Sequence, residues 1–174
     1  GGEPKTCKTY LALEMAMCLA VGRRVLGRWD VERPGRTLLF SPEGGRRTLK
    51  RRLHRLAWGM QLNAEETARA RDRIQILPMP LNLSDDTQVA KLHRTIAAFN
   101  ADLVLLDPLV SLHRGLKEND AEFHVLLDSI RSLLTATPRL SIVVVHHTGK
   151  DAPTKSPIYT LRGSSVISGW LDGL

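Results

Sequence analysis

Residues 2–9 read Gly2-Glu3-Pro4-Lys5-Thr6-Cys7-Lys8-Thr9, and they match the pattern G-x-x-x-x-G-K-[ST] at every defined position except one. In this pattern, backbone N–H groups of a loop and of the following helix N-terminus surround phosphate groups. Lys8 would neutralise charge on the β- and γ-phosphates, and the Thr9 hydroxyl would bind Mg²⁺. The stretch therefore predicts a phosphate-binding loop that opens a helix, with a chance Cys-Lys-Thr before a helix as the alternative.

The exception is Cys7, which stands where the pattern has a glycine. Glycine permits a backbone conformation and a close approach to phosphate that a Cβ atom resists. A cysteine would either add about 1 to 3 kcal/mol of strain or shift the loop. The competence of a nucleotide site here therefore depends on how the chain accommodates Cys7.

Helical and strand-like patterns alternate along the rest of the sequence. Helix-favouring or amphipathic patterns predict helices over residues 9–21, 45–59, 64–71, 87–100 and 119–136, and from Ser164 through Trp170. Short apolar runs predict strands over residues 36–41, 73–77, 102–106 and 140–146. These runs are continuous rather than alternating, which is typical of a parallel sheet covered on both faces. The sequence thus predicts an α/β fold with a mostly parallel central sheet between helices.

A strand normally precedes a phosphate-binding loop of this kind. No apolar run precedes Gly2 in the sequence, so we expect the first strand of the sheet to be missing from the chain. Residues 1–174 are accordingly interpreted as a single domain, a fragment truncated at both ends.

Composition narrows the class of protein. Of the 174 residues, 43% are hydrophobic and 25% are charged, which suits a globular domain with a real core. No apolar stretch approaches the roughly 18 to 20 residues that span a bilayer, and no signal-peptide pattern is present. We therefore expect a cytoplasmic protein without a membrane partner. Cys7 and Cys18 are expected to be free thiols, since a helix would hold them too far apart for a disulfide.

The charge distribution points to a polyanionic partner. The net charge is +7, and the segment from Arg23 to Arg55 holds eleven lysines and arginines against three acids. Such a segment can bind nucleic acid, or it can be the solvated face of a helix. Charge alone leaves both explanations open.

Two acidic residues follow predicted strands, where ligands bind in parallel sheets. Asp107 follows Leu103-Val104-Leu105-Leu106 and is placed to hold Mg²⁺ opposite Thr9; a turn or helix-cap aspartate before Pro108 is the alternative. Glu43 follows Phe40-Ser41-Pro42 and could act as the general base that activates water. An N-cap or first-turn glutamate on the following helix explains Glu43 equally well.

Three further side chains are candidates for contact with phosphate. His146 and His147 end the fourth predicted strand and could sense the γ-phosphate, but consecutive strand residues point to opposite faces, which argues against a zinc site. Arg162 lies in Arg162-Gly163-Ser164-Ser165 and could reach a phosphate of a neighbouring subunit. The alternatives are a hydrogen-bonded strand-end histidine and a helix N-cap at Ser164.

Taken in order, the motifs G-E-P-K-T-C-K-T, F-S-P-E, D-L-V-L-L-D-P-L, E-N-D, V-V-V-H-H-T-G-K and R-G-S-S resemble those of the RecA-like P-loop ATPases of the RepA type. That group includes hexameric replicative helicases of plasmids and related AAA-family ATPases of phages and mobile elements. The resemblance covers nearly the whole chain, and D-P-L, H-H-T-G-K and R-G-S-S carry most of its specificity. Cys7 departs from the pattern of the group.

The resemblance implies roles for individual residues. Lys8 and Thr9 match the Walker A lysine and hydroxyl, Glu43 the catalytic glutamate, and Asp107 the Walker B aspartate. His147 falls at the end of a sensor-like pair with His146. Arg162 falls where such proteins place an arginine that acts across a subunit interface, and Lys150 could contribute to the same interface.

The predicted activity is that of an ATP-hydrolysing, Mg²⁺-dependent domain of a replicative DNA helicase or a related DNA-replication ATPase. The resemblance implies a homo-oligomeric ring, often a hexamer, with single-stranded DNA as a partner, and the basic helix around residues 46–55 could contact a DNA backbone. The alternative is a nucleotide-binding regulatory or assembly module with weak or lost hydrolysis, which Cys7 favours. A plain DNA-binding protein has only the charge in its favour, since no recognition motif is present.

Overall fold

The fold is known from a computed structural model that describes residues 7–42, 45–77, 79, 81–112 and 121–146, with the backbone alone for Val110 and residues 121–123. The helices are α1 (Lys8–Val21), α2 (Gly45–Gly59), α3 (Ala64–Arg73), α4 (Asp86–Phe99) and α5 (Ala121–Ala136). The strands are β1 (Thr37–Phe40), β2 (Ile74–Leu77), β3 (Leu103–Leu106) and β4 (Ser141–Val144). The helix predicted from Ser164 lies outside the described residues.

The four strands form one sheet in the order β2-β1-β3-β4, and all three pairings are parallel. The last residues of the four strands are in register, because Phe40 pairs with both Leu77 and Leu106, and Leu106 pairs with Val144. The carboxyl ends of these strands therefore meet at one edge of the sheet, and residues that follow them in sequence start from neighbouring positions.

Helices cover both faces of the sheet, which confirms the predicted three-layer α/β architecture. One core cluster joins Leu38 and Val104 of the strands to Ile96 of α4 and Ile130 of α5. On the other face, Leu39 and Leu105 of the strands pack with residues of α1 and α2. Each strand thus buries side chains in both directions, which explains why its sequence is a continuous apolar run.

Helix α1 runs antiparallel to the strands. Near its carboxyl end, the Leu19 carbonyl accepts a hydrogen bond from the backbone N–H of Gly35, at 3.0 Å, just before β1 begins. The Ala20 carbonyl accepts one from the Arg73 side chain, at 3.3 Å, just before β2. A helix of 14 residues is about 21 Å long, more than the length of a four-residue strand. Its first turn therefore reaches the edge where the strands end.

Several predicted boundaries were wrong by one or two residues. Asn100 was predicted to be helical but terminates α4 in the left-handed conformation, with φ 51°. The fourth strand was predicted to run to His146 but ends at Val144. Asp102 precedes β3 instead of starting it, because its carboxylate accepts hydrogen bonds from the Arg36 backbone and the Arg33 side chain, both at 2.9 Å.

The 3₁₀ turn Leu109–Leu112 after β3 was not predicted, whereas α2 has the predicted bounds of residues 45–59. Among the described helices, none combines the length and the apolar composition needed to cross a membrane.

Candidate functional site

The residue before α1 adopts a backbone conformation that glycine favours. Cys7 is the N-cap of α1 and has φ 59° and ψ 16°, in the left-handed region. Its carbonyl oxygen still accepts the first helical hydrogen bond, from Leu11 N at 3.0 Å. The chain therefore begins α1 with the left-handed backbone conformation that a glycine would adopt. This conformation costs about 1 to 2 kcal/mol of backbone strain at Cys7.

Lys8 and Thr9 form the first turn of α1, which the helix direction places at the carboxyl edge of the sheet. Both side chains are partly buried. The unpaired N–H groups and the positive end of the helix dipole favour an anion at such a helix start. The described part of the predicted loop thus lies at the edge where α/β sheets bind their ligands.

Asp107 occupies the same edge. It follows β3 directly, is 5% exposed, and its backbone N–H donates to the Phe40 carbonyl at 2.9 Å, which extends the β1–β3 pairing by one residue. No hydrogen bond or ion pair reaches its carboxylate from the part of the chain that the structure describes. A capping role would need such a bond, so the described contacts give no support to the helix-cap alternative.

The residues at this edge are suited to a hard divalent cation. A carboxylate on Asp107 and a hydroxyl on Thr9 are oxygen ligands of the type that Mg²⁺ prefers, and Mg²⁺ usually takes only one or two protein ligands besides phosphates and water. No group of three metal-ligating side chains occurs within the described residues.

Two more polar residues are buried at the ends of the strands. Ser41, which follows β1, is 1% exposed, and His146, which follows β4, is 6% exposed. The segment after β4 is fixed beside β3, because Val145 N donates to the Leu106 carbonyl and Leu109 N donates to the Val145 carbonyl, both at 2.8 Å. Ser41 was not singled out from the sequence, although its place between an apolar strand and Pro42-Glu43 was a usable signal.

The remaining candidates lie outside the described residues. They are Gly2, Glu3, Pro4, Lys5, Thr6, Glu43, His147, Lys150 and Arg162. On the two sides of Glu43 in the sequence, Pro42 follows β1 at the carboxyl edge of the sheet and Gly45 begins α2. The structure therefore brings Lys8, Thr9, Asp107 and His146 to one edge, and it leaves the predicted positions of the others untested.

The two thiols are free, as predicted, but their surroundings differ. Cys7 is exposed, whereas Cys18 is buried beneath the segment that follows α1. Burial, together with a hydrogen bond from Sγ to the Glu14 carboxylate at 3.3 Å, raises the pKa of the Cys18 thiol to about 12. Cys18 therefore behaves as a core residue.

The conformation of Cys7 leads to a prediction about the loop. We expect Cys7→Gly to leave ATP affinity within about threefold of wild type, because Cys7 already holds the backbone conformation that glycine would take. Cys7→Val should lower thermal stability by about 1 to 2 kcal/mol, since a β-branched residue is disfavoured at positive φ. Calorimetric titration and thermal unfolding test both. A large gain in affinity with glycine would show that Cys7 holds the loop in a poor conformation.

Comparison with known proteins gives one family and one type of fold. A family model described as an AAA domain matches residues 1–153. Among solved structures, the KaiC-like protein of the hyperthermophilic archaeon Pyrococcus horikoshii OT3 is similar, with a TM-score of 0.55 and 18% sequence identity. The match covers 92% of this chain and 61% of that protein, so the chain spans less than two thirds of its length. No curated protein matches the sequence. At this identity, the structural similarity shows a shared fold.

Proposed function

The chain belongs to the AAA domain family, and we propose that it is the ATP-binding and ATP-hydrolysing domain of a RecA-like DNA-replication ATPase of the RepA helicase type. Its motifs and their order resemble that type, and its net charge of +7 suits a polyanionic partner. Single-stranded DNA is the proposed partner, and a homo-oligomeric ring, often a hexamer, is the proposed assembly.

One observation carries the proposal of an ATP site. The first turn of α1, with Lys8 and Thr9, and the buried Asp107 lie at the same edge of one sheet, although about a hundred residues separate them in sequence. A chance Cys-Lys-Thr sequence before a helix would not require an acid at the end of a buried strand on that edge.

The proposed mechanism assigns a task to each side chain. Lys8 would bind the β- and γ-phosphates. Thr9 and Asp107 would hold Mg²⁺, which when bound would neutralise charge on the phosphates. Glu43 accepts a proton from the water that attacks the γ-phosphorus, and the bond from that phosphorus to the β,γ-bridging oxygen breaks, so that its electron pair leaves with ADP. His147, beside His146, donates a hydrogen bond to the γ-phosphate, and Arg162 stabilises the developing charge from a neighbouring subunit.

The test is steady phosphate release by the full-length protein with ATP and Mg²⁺. Asp107→Asn should reduce turnover roughly 100-fold and raise the Mg²⁺ concentration that half-maximal activity requires. The matched control is Asp128→Asn on α5, which removes an exposed carboxylate and should leave turnover unchanged. Equal turnover in Asp107→Asn and wild type would remove Asp107 from the site. Single-stranded DNA should stimulate the wild-type protein.

A second candidate function has one observation in its favour. The left-handed backbone at Cys7 is strained in a way that a glycine would not be, which suits a nucleotide-binding regulatory or assembly module with little hydrolysis. ATP binding without phosphate release in the full-length protein, with or without DNA, would favour this module over the motor.

A further inference from the structure

Helix α2 presents an exposed face of basic side chains with an indole at its centre. Successive residues turn by about 100° around a helix, which places Arg47, Arg51 and Trp58 opposite the buried Leu49. Trp58 is 85% exposed, the largest exposed fraction among the exposed large hydrophobic side chains that the structure describes. We refer to these residues as the α2 basic face: Arg46, Arg47, Lys50, Arg51, His54, Arg55 and Trp58.

Helix stability does not explain this composition. Arg47, Arg51 and Arg55 follow one another at intervals of four residues, and like charges at that spacing destabilise a helix. Arg46 and Arg47 also lie in the first turn, where the helix dipole disfavours cations. Because α2 contains no acidic residue, it lacks the mixture of signs that is usual on a solvated helix face.

The basic side chains of the α2 basic face also form no ion pair with any part of the chain that the structure describes. Arginines elsewhere do: Arg23 pairs with Glu66, and Arg36 pairs with Asp72. The charge on α2 is therefore left for a partner outside the described chain, and charge complementarity requires that partner to be an anion.

A groove borders this face. It has a volume of about 720 Å³ and lies between α2, α3 and the edge strand β2. Lys50 and His54 of α2 line it together with Arg71 and Asp72 of α3, and its apolar lining includes Ile74 and Ile76. The acidic Asp72 is already paired with Arg36, at 3.0 Å. Positive charge thus extends from the exposed crest of α2 into a concave surface that could follow an extended polyanion.

We propose that the α2 basic face binds single-stranded nucleic acid, with Trp58 stacked on a base and the cations of α2 and the groove on the backbone phosphates. Exposed aromatic side chains among cations are the means by which proteins bind unpaired strands, since a base in a duplex offers no free face. Binding to a membrane would need an exposed apolar helix face. The leucines of α2 do not provide one, because Leu49, Leu53 and Leu56 pack against the protein core.

This inference deepens the proposed function, since it rests on a nucleic-acid partner and assigns the surface that meets it. Helix α2 begins two residues after Glu43. The nucleic acid would therefore bind on the helix that directly follows the proposed general base in sequence. Binding can be measured without ATP, and ATP hydrolysis without nucleic acid. Failure of one proposal is therefore distinguishable from failure of the other.

The experiment is fluorescence anisotropy of labelled oligothymidine with the full-length protein in the absence of nucleotide. Trp58→Ala should weaken binding about 5- to 100-fold, and Trp58→Phe should retain most of the affinity. The matched control is Trp29→Ala, which removes an indole that is 54% exposed and also lies beside an arginine, Arg28, but outside α2. It should bind as wild type does.

Phosphate contact is tested by salt dependence. Arg51→Gln should reduce the slope of log K against log salt concentration by about 0.7, the value for one phosphate contact on a single strand. Arg139→Gln removes the same charge from the turn before β4, at the opposite edge of the sheet from β2, and should leave the slope unchanged. Oligouridine, measured in parallel, distinguishes RNA from DNA as the preferred strand.

Three results would overturn the proposal. They are wild-type affinity in Trp58→Ala, binding of duplex DNA as tight as that of the single strand, and binding to vesicles of anionic phospholipid without binding to oligothymidine. Because Trp58 is exposed, its substitution should not alter folding, and circular dichroism of the variant verifies this. ATP turnover without nucleic acid should be the same in Trp58→Ala and wild type.

Discussion

Replacing Glu43 with glutamine should reduce ATP turnover by the full-length protein about 1,000-fold, while ATP affinity stays close to that of wild type. Glutamine keeps the size and hydrogen-bonding capacity of the side chain but cannot accept the proton of the attacking water. An isosteric change that removes only the base should therefore affect the chemical step and spare binding. Phosphate release under single-turnover conditions, beside titration of a labelled ATP analogue, separates the two effects.

The control for this prediction is Glu32→Gln, which neutralises an exposed glutamate in the segment between α1 and β1. Its turnover should match that of wild type. If Glu43→Gln retains full activity, Glu43 is not the general base, and the base must be sought elsewhere. If neither the variant nor the wild type releases phosphate, the regulatory module is the better explanation.

Replacing Glu66 with alanine should destabilise the fold by about 1 to 3 kcal/mol. The Glu66 carboxylate accepts two parallel hydrogen bonds from Arg23, both at 2.8 Å, and one from the Asn63 backbone at 2.9 Å. Its own backbone N–H donates to the Asn63 side chain at 2.9 Å, which completes a capping box on α3. The loss would leave Arg23 without its carboxylate at the junction of α1 and α3.

Urea unfolding of Glu66→Ala and of the neighbouring Glu65→Ala gives the matched comparison. Glu65 is 80% exposed and approaches Arg69 only at 3.9 Å, so its loss should cost about 0.5 kcal/mol or less. Equal effects of the two substitutions would show that the Arg23–Glu66 pair contributes no more than a surface contact.

The same carboxylate should make stability depend on pH. Hydrogen bonds from the Arg23 side chain, and then from the Asn63 backbone, lower the pKa of Glu66 from its usual value. The folded state therefore binds this proton less readily than the unfolded state does. The stabilisation is complete above the unfolded pKa of roughly 4.3 and is lost as the pH falls through the folded pKa. Glu66→Gln should remove this part of the acid dependence.

The α/β architecture could be predicted from the sequence because the patterns that indicate strands and helices are local and recur along the chain. Continuous apolar runs such as 103–106 predicted buried parallel strands. In α2, Leu49 is buried and Leu53 and Leu56 are partly buried on the same side, at the spacing of an amphipathic helix. Boundaries were less accurate where a tertiary contact decides them. Asp102 does not enter β3 because its side chain is engaged by residues 33–36, more than sixty positions away.

In the candidate site, too, some features could be predicted from the sequence and others could not. Asp107 could be placed from sequence because an acid at the end of an apolar run has a defined position in a parallel sheet. The backbone of Cys7 could not be, since either a strained cysteine or a shifted loop was consistent with the pattern. Trp58 was not predicted as a functional residue, although the rotation of about 100° per residue in a helix places it on the side of α2 opposite Leu49.

The contrast between the two thiols gives this protein a built-in chemical reporter. The chain has two cysteines, and an alkylating reagent should modify Cys7 at the start of α1 while the buried Cys18, with a thiol pKa of about 12, stays protonated and shielded. A fluorophore could therefore be attached next to Lys8 without any substitution. By the same logic, oxidants that spare the core would reach Cys7 first, so preparations require a reducing agent before activity is compared.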